Sequence, residues 1–386
     1  MIKKTSHPLV QKAIEFAGDR LRPIAAQIDT QGGVPADIVQ VLADEGFLGS
    51  VLPRDYGGGG VSAYDYGLLT EAIGAACSNT RVLLTVHTSL VGETIAKLGT
   101  EEQKQRFLPA MCSGKKIACF SLSEPLAGSD ALSISTSYQE DDDGFVINGS
   151  KKWISMGAIA DLFLVFAANQ GKINAFLVER SAVGVSTQAM SGLMASRGAH
   201  LAEVNFTNVR VARENLLGRP GMGFTFVANT ALYYGRFSIA WAGVAIARAA
   251  LEEMVTYART REQFGKKISQ HQLIQALIAD STVDVHSARA FCENIAHMRD
   301  AKNEDAVMET NIAKLYTSRI ATQVANNAVQ VLGGNGLWQA YAAERLYREA
   351  RVLEIIEGTT QVQQLMVANH ALRHYFKPEL RKQYPV

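Results

Sequence analysis

Apolar positions in the first hundred or so residues recur with the period of a helix. Leu9, Ala13, Phe16, Leu21 and Ile24 mark one face, and Ile38, Leu42 and Phe47 mark a second helix over 35–46. A break follows at Pro53-Arg54-Asp55-Tyr56 and the four glycines Gly57 to Gly60. Further helices are predicted over 63–77, 82–98 and 101–112, the last opened by Thr100 with Gln103 as a capping box. Near Lys116 the period changes. Residues 144–149 read as a strand closed by a turn, 162–167 and 174–178 as short apolar strands, and 203–211 as an alternating one with Val204 and Phe206 on one face. From Asn229 the helical period returns: Ile239, Ala242, Ile246, Ala250, Met254 and Tyr257 line one side. Long helices follow over 271–299 and 306–332, and a last one after Thr360. The pattern predicts a mainly α protein with a middle β domain: helices over 1–117, a β barrel or sandwich over 118–226, and a helical bundle over 227–386.

Composition narrows the function. The chain has 386 residues, 47% of them hydrophobic, which supplies core for two or three domains. With 38 basic against 37 acidic residues the formal net charge is +1, and nothing favours a nucleic acid or an anionic membrane as partner. No apolar run reaches the roughly 18 residues that cross a bilayer, and no secretory core follows the N-terminal MIKKTSHPLVQK. Cys77, Cys112, Cys119 and Cys292 form no C-x-x-C pair, and the eight histidines form no zinc pattern, so no metal site is expected. Buried free thiols in a reducing cytoplasm are the expected state. Neither a P-loop nor a G-x-G-x-x-G turn after a strand is present.

One stretch stands out chemically. Glu357 follows the run Val352-Leu353-Glu354-Ile355-Ile356 and precedes Gly358 and Thr359. An apolar setting raises a carboxylate's pKa, and a chain break lets it face a cavity, which suits a general base. The alternative is a solvated glutamate at a helix C-cap, with Gly358 as the left-handed residue. Four other stretches accompany it: Ala118-Cys119-Phe120-Ser121-Leu122-Ser123-Glu124-Pro125-Leu126-Ala127-Gly128-Ser129-Asp130; Lys152-Trp153-Ile154-Ser155; Arg259-Thr260-Arg261-Glu262-Gln263-Phe264-Gly265; and Gln330-Val331-Leu332-Gly333-Gly334-Asn335-Gly336. In turn these offer a strand edge with hydroxyls for a planar ligand, an aromatic beside a hydroxyl, an arginine suited to pyrophosphate, and glycines that permit close backbone approach. Taken singly, each also reads as a strand edge, a core tryptophan, a surface arginine or a C-cap.

In this order and spacing the stretches resemble the acyl-CoA dehydrogenase family of flavoproteins, over nearly the whole chain. The resemblance extends to Glu214-Asn215-Leu216-Leu217-Gly218 and Glu344-Arg345-Leu346-Tyr347-Arg348. It implies an N-terminal helical domain, a β-barrel and a C-terminal four-helix bundle, with FAD between barrel and bundle. Phe120, Leu122, Ser123, Trp153 and Ser155 then border the isoalloxazine. Arg261, Phe264, Gln330, Gly333 and Gly334 reach the FAD of a neighbouring subunit, and Thr359 and Gln361 contact it just past the base. A site built from two chains implies at least a dimer, whether homodimer or homotetramer. Ser129, Tyr233, Arg236 and Gly358 fall where the acyl thioester binds. Glu357 falls on the catalytic base, and Gly235 removes the other position where some members carry it. The implied reaction is α,β-dehydrogenation: Glu357 takes the α-proton, a hydride leaves Cβ for the flavin, and the thioester carbonyl is polarised by the Glu357 N–H and a ribityl hydroxyl. An electron acceptor such as an electron-transferring flavoprotein is the implied partner.

Three departures concern the substrate: Leu126 where Gly is usual, Tyr233 where an Asp contacts the pantetheine arm, and Ala340 where an acid is common. Tyr234-Gly235-Arg236 with Ser238 and Ala240-Trp241, the Glu354 to Gly358 stretch, and His200 after Arg197 are similar to acyl-carrier-protein dehydrogenases that make hydroxymalonyl or methoxymalonyl extender units for polyketides and hybrid peptides. The substrate is thus expected on a carrier protein or on CoA. Ordinary short-chain acyl-CoA catabolism, or a flavin oxidase on the same fold, is the alternative. A monooxygenase is disfavoured by Glu357, and a non-catalytic flavoprotein by Glu357 together with the neutral charge. His200 reads as a satisfied structural residue before it reads as a substrate contact.

Overall fold

The computed structural model describes residues 7–377. The chain begins with helices, of which Pro8–Phe16, Ala36–Asp44, Ala63–Ala76 and Glu101–Cys112 are the main ones. The predicted capping box is present: the Thr100 hydroxyl accepts from the Gln103 N–H and the Gln103 side chain accepts from the Thr100 N–H. The single helix predicted over 82–98 is instead three segments, Ser78–Leu83, a π-helical stretch Leu84–Gly92, and Glu93–Leu98. The wider π turn is not encoded in apolar spacing, and such stretches concentrate at functional sites.

Eight strands follow: β1 Ala118–Ser121, β2 Ser137–Asp141, β3 Gly144–Ile154, β4 Leu162–Asn169, β5 Lys172–Glu179, β6 Val185–Ala189, β7 Ala202–Val211 and β8 Leu216–Leu217. They form one mixed sheet in the order β6-β7-β3-β2-β4-β5-β8, with β1 parallel to β4. Strands β2 and β6 were not anticipated, because both lie largely exposed and carry mainly polar residues. The buried strands β4 and β5 were anticipated by their continuous apolar runs.

The C-terminal part is helical again: Asn229–Thr260, Gln272–Asp300, Ala306–Leu332, Ala342–Leu353 and Thr360–His374. The 32-residue helix Asn229–Thr260 is its axis, buried without interruption from Gly235 to Ala247. Small residues make that possible. A Cβ on Gly243 would stand 2.6 Å from the Thr317 carbonyl oxygen of Ala306–Leu332, and one on Gly67 would stand 2.2 Å from the Trp241 indole. Helices from both ends of the chain thereby approach the same axis closely. All four cysteines are buried and free. Among the described residues no helix is long and apolar enough to cross a membrane, and no group of three or more His, Cys, Asp or Glu could hold a metal.

Candidate active site

A cavity of about 730 Å³ lies where the three parts of the chain meet. One side comes from β1 and the loop after it, with Phe120, Leu122, Ser123 and Ser129, joined by Trp153 and Ser155 at the end of β3. Another comes from Arg81, Thr85, Val86 and Leu90 on the helical and π segment. The last comes from Asn229, Leu232, Arg236 and Ile239, spaced along one face of the axial helix, and from the turn Ile355 to Thr359.

The turn is built around its carboxylate. Helix Ala342–Leu353 has ended, and Glu357 and Gly358 both adopt left-handed backbone, φ 56° and 94°. Thr359 then caps the next helix by accepting from the Val362 N–H at 3.3 Å. Left-handed backbone is unfavourable for a glutamate and persists only where the surroundings enforce it. Here Arg236 Nε donates to the Glu357 carbonyl at 2.9 Å, Gln363 Nε2 donates to the same oxygen at 3.2 Å, and Lys314 Nζ donates to the Gly358 carbonyl at 2.7 Å. Arg236 is itself steadied by Asn311 Oδ1 at 3.0 Å. The Glu357 N–H finds no acceptor among the described residues.

These contacts all go to backbone carbonyls and leave the carboxylate free. Glu357 Oε2 is buried and has no hydrogen-bond partner. A Cβ at position 235 would stand 2.6 Å from it, so Gly235 makes room for the side chain. Burial pushes the carboxyl up to about 7, against the opposing pull of Arg236, Lys314 and Arg81. Burial in turn brings Lys314 down to about 8. The result is a carboxylate poised near neutrality with an open lone pair, as a general base requires.

Most of the residues singled out in the sequence converge here: Phe120, Leu122, Ser123, Ser129, Trp153, Ser155, Arg236, Glu357, Gly358 and Thr359 all line the cavity. The others do not. Arg261, Phe264, Gln330, Gly333, Gly334 and Gln361 are exposed on the helical part of the chain. Tyr233 lies off the cavity face of its helix. Together with Tyr234 and Phe237 it surrounds Arg299, whose guanidinium carbon is 5.0, 5.1 and 4.0 Å from the three ring centroids and whose Nη2 meets Glu93 at 3.0 Å. His200, outside the cavity, contacts the Val34 carbonyl at 3.0 Å across Gly33 and docks that loop. Leu126 borders the cavity but is almost fully exposed, and Ala340 is an exposed residue bordering a separate cleft. Arg81, Asn311, Lys314 and Gln363 were missed. The available signal was a lone charge in an otherwise apolar helical run, Arg81 before Val82-Leu83-Leu84 and Lys314 after Ile312-Ala313.

Three family models match the chain in order: the N-terminal domain of acyl-CoA dehydrogenase over 4–115, the middle domain over 119–209 and the C-terminal domain over 221–372. The chain belongs to the acyl-CoA dehydrogenase family. The human mitochondrial short-chain specific acyl-CoA dehydrogenase is 38% identical over 97% of this chain and 92% of its own. Butyryl-CoA dehydrogenase from Megasphaera elsdenii superposes with a TM-score of 0.91 at 31% identity, covering 96% of this chain and 99% of that one. FkbI, a protein for biosynthesis of the methoxymalonyl extender unit of a polyketide immunosuppressant, superposes with a TM-score of 0.86 at 32% identity, covering 94% and 99%.

The enzyme is therefore an oxidoreductase acting on CH–CH bonds, and its cofactor is FAD, which a solved relative holds in reduced form. The cavity fits an isoalloxazine on its own merits. Its volume suits a large ligand, Trp153 keeps 54% of its surface open, and Ser123 and Ser155 line it beside that ring. The Lys152 N–H donates to the Ser123 carbonyl at 2.9 Å, which ties the two halves of this platform together.

Proposed function

We propose that this dehydrogenase oxidises an acyl thioester between Cα and Cβ, with Glu357 as the base. The observation that carries the reading is the buried, unpartnered Oε2 of Glu357 in the cavity that also holds the flavin platform. FAD, when bound, supplies the hydride acceptor. The chain does the rest. Phe120, Leu122, Ser123, Trp153 and Ser155 hold the ring system, and Ser129, Arg236 and Gly358 border the acyl group. The Glu357 N–H, with no acceptor of its own, is free to donate to the thioester carbonyl, and such a fixed donor contributes roughly 3–4 kcal/mol to a developing enolate. Oε2 of Glu357 then receives the α-proton. Arg236, Gln363 and Lys314 act through the backbone and keep the carboxylate from rotating away. Reducing equivalents leave for an electron-transferring flavoprotein, the partner implied by the family.

Replacing Glu357 by Gln keeps shape and removes the base. FAD should stay bound, and bleaching of the flavin by substrate should slow by about 10²–10⁴-fold. Full bleaching in that variant would sink the assignment.

A second reading concerns the carrier and rests on Tyr233. Where the family places an acid for the pantetheine arm, this chain has a tyrosine engaged with Arg299. Likeness to FkbI supports a part in assembling a polyketide extender unit, for which the sequence resemblance implies a substrate held on an acyl carrier protein. The human relative supports ordinary short-chain acyl-CoA oxidation. Mixing the enzyme anaerobically with one acyl group on CoA and on carrier protein decides between them. Bleaching only by the carrier-protein thioester favours the former, and equal bleaching by CoA favours the latter.

A further inference from the structure

Arg81 borders the same cavity and is not used by the chemistry above. It is 1% exposed. Its stem passes Gly74, where a Cβ would stand 2.6 Å from Arg81 Cδ, so the side chain is held in one place. Only one of its nitrogens is occupied. Nη1 donates to Thr85 Oγ1 at 2.8 Å and to the Ser238 carbonyl and hydroxyl at 3.1 and 3.2 Å. Nε and Nη2 are buried and have no partner.

Those two nitrogens form one edge of the guanidinium, with parallel N–H groups at the spacing of a carboxylate's two oxygens. A buried guanidinium with that edge unfilled is unfavourable, and it is the arrangement a planar anion satisfies. Glu357 does not fill it. Its own Oε2 is also buried and unpartnered, so the two groups face the same cavity without meeting. A ligand that offers a proton to one and an anion to the other would satisfy both.

We infer that Arg81 is a substrate-binding residue that selects acyl groups carrying a carboxylate at the end remote from the thioester. The acyl thioester itself comes from the function proposed above, on which this inference rests. Thr85 and Ser238, hydrogen-bonded to each other at 2.8 Å, fix the occupied side of the guanidinium and leave the other edge to the substrate. In an ordinary apolar acyl pocket such a cation would stay unpaired in every complex.

The test compares thioesters of equal length that differ only at the far end: glutaryl-CoA against valeryl-CoA, and succinyl-CoA against butyryl-CoA. Flavin bleaching on the wild-type holoenzyme gives kcat and KM, and calorimetry on the Glu357→Gln holoenzyme gives binding without turnover. In at least one pair the diacid thioester should bind and react about thirtyfold or more better than its neutral partner. Arg81→Met should erase that preference by raising KM for the diacid thioester far more than for its neutral partner, and Arg81→Lys should restore it in part. Preference for the neutral member in both pairs overturns the inference, and the wild-type comparison needs no variant to fold. Equal loss for both substrates in Arg81→Met also overturns it, since Arg81 would then act on Glu357 alone. If both members of each pair bleach the flavin equally, this inference fails and the dehydrogenase reading stands. If none bleaches it while the diacids still bind more tightly, the reverse holds.

Discussion

Glu357 is held in unfavourable backbone by three side chains that never touch its carboxylate, which separates geometry from reactivity. The sign of its pH dependence follows. A base acts only when deprotonated, and burial has moved this carboxyl up to about 7. Bleaching by substrate should therefore rise as pH climbs through about 7, fall roughly tenfold per unit below it, and lose that limb in Glu357→Gln. A rate already flat from pH 5 upward in the wild type would contradict the placement. Gly235 gives a complementary prediction. Gly235→Ala puts a methyl 2.6 Å from both Glu357 Oε2 and Leu90 Cδ2. The carboxylate is the movable neighbour, and alanine in a helix recovers up to about 1 kcal/mol relative to glycine. The variant should lose about tenfold or more in kcat while its thermal midpoint changes little. Glu357 could be singled out from the sequence because the other stretches resemble those of a flavoprotein family; alone, its own stretch reads equally as a helix C-cap. Arg81 carried a weaker signal, a lone charge ahead of an apolar run, and such an arginine reads as surface until its neighbours are known.

At the scale of elements, what could be read in advance was what burial makes periodic. Helix Ala306–Leu332 and the strands β4 and β5 announce themselves by apolar spacing. Strands β2 and β6 expose most of their residues, so no alternation marks them. The π stretch Leu84–Gly92 is buried on every side and carries no period that separates it from an α-helix. Yet that stretch supplies Thr85, Val86 and Leu90 to the cavity. Packing between elements was equally hidden. Gly67 looks like a weak spot in helix Ala63–Ala76 until the Trp241 indole is seen against it. Gly67→Ala should destabilise the fold by about 1–3 kcal/mol through overpacking, net of the alanine's helix propensity. A lowered denaturation midpoint checks it, and an unchanged one would show that the axial helix tolerates displacement. Because Trp241 and Arg236 share that helix, the same variant should weaken FAD-dependent bleaching.

For the whole molecule, on the function proposed above one chain supplies a base, a flavin platform and an acyl slot, but not every residue the sequence assigns to the cofactor. Arg261, Phe264, Gln330, Gly333 and Gly334 lie exposed and outside its cavity. Arg261 and Phe264 belong to a hairpin. Strands Glu262–Gln263 and Lys266–Lys267 pair as a hairpin whose turn residues Phe264 and Gly265 both have positive φ, 54° and 74°, a geometry that matches the twist of the strands. His271 stacks on the Phe264 ring edge-on at 5.9 Å, yet Phe264 remains 93% exposed. Leu273, Leu337, Trp338 and Leu372 are exposed on the same helical part of the chain. A projecting hairpin tipped by a bare phenylalanine, with further apolar side chains on that part, suits a contact with a second copy. On this reading the hairpin of one subunit completes the cofactor site of another, with Arg261 pairing to the FAD pyrophosphate. Arg261→Ala should then lower bound FAD per chain and shift the particle to a smaller species, the two effects tracking each other across protein concentration. The flavin-to-protein absorbance ratio and light scattering on the same samples read both. Loss of FAD at unchanged size would make Arg261 a contact within one subunit, and full FAD at native size would remove it from the cofactor site.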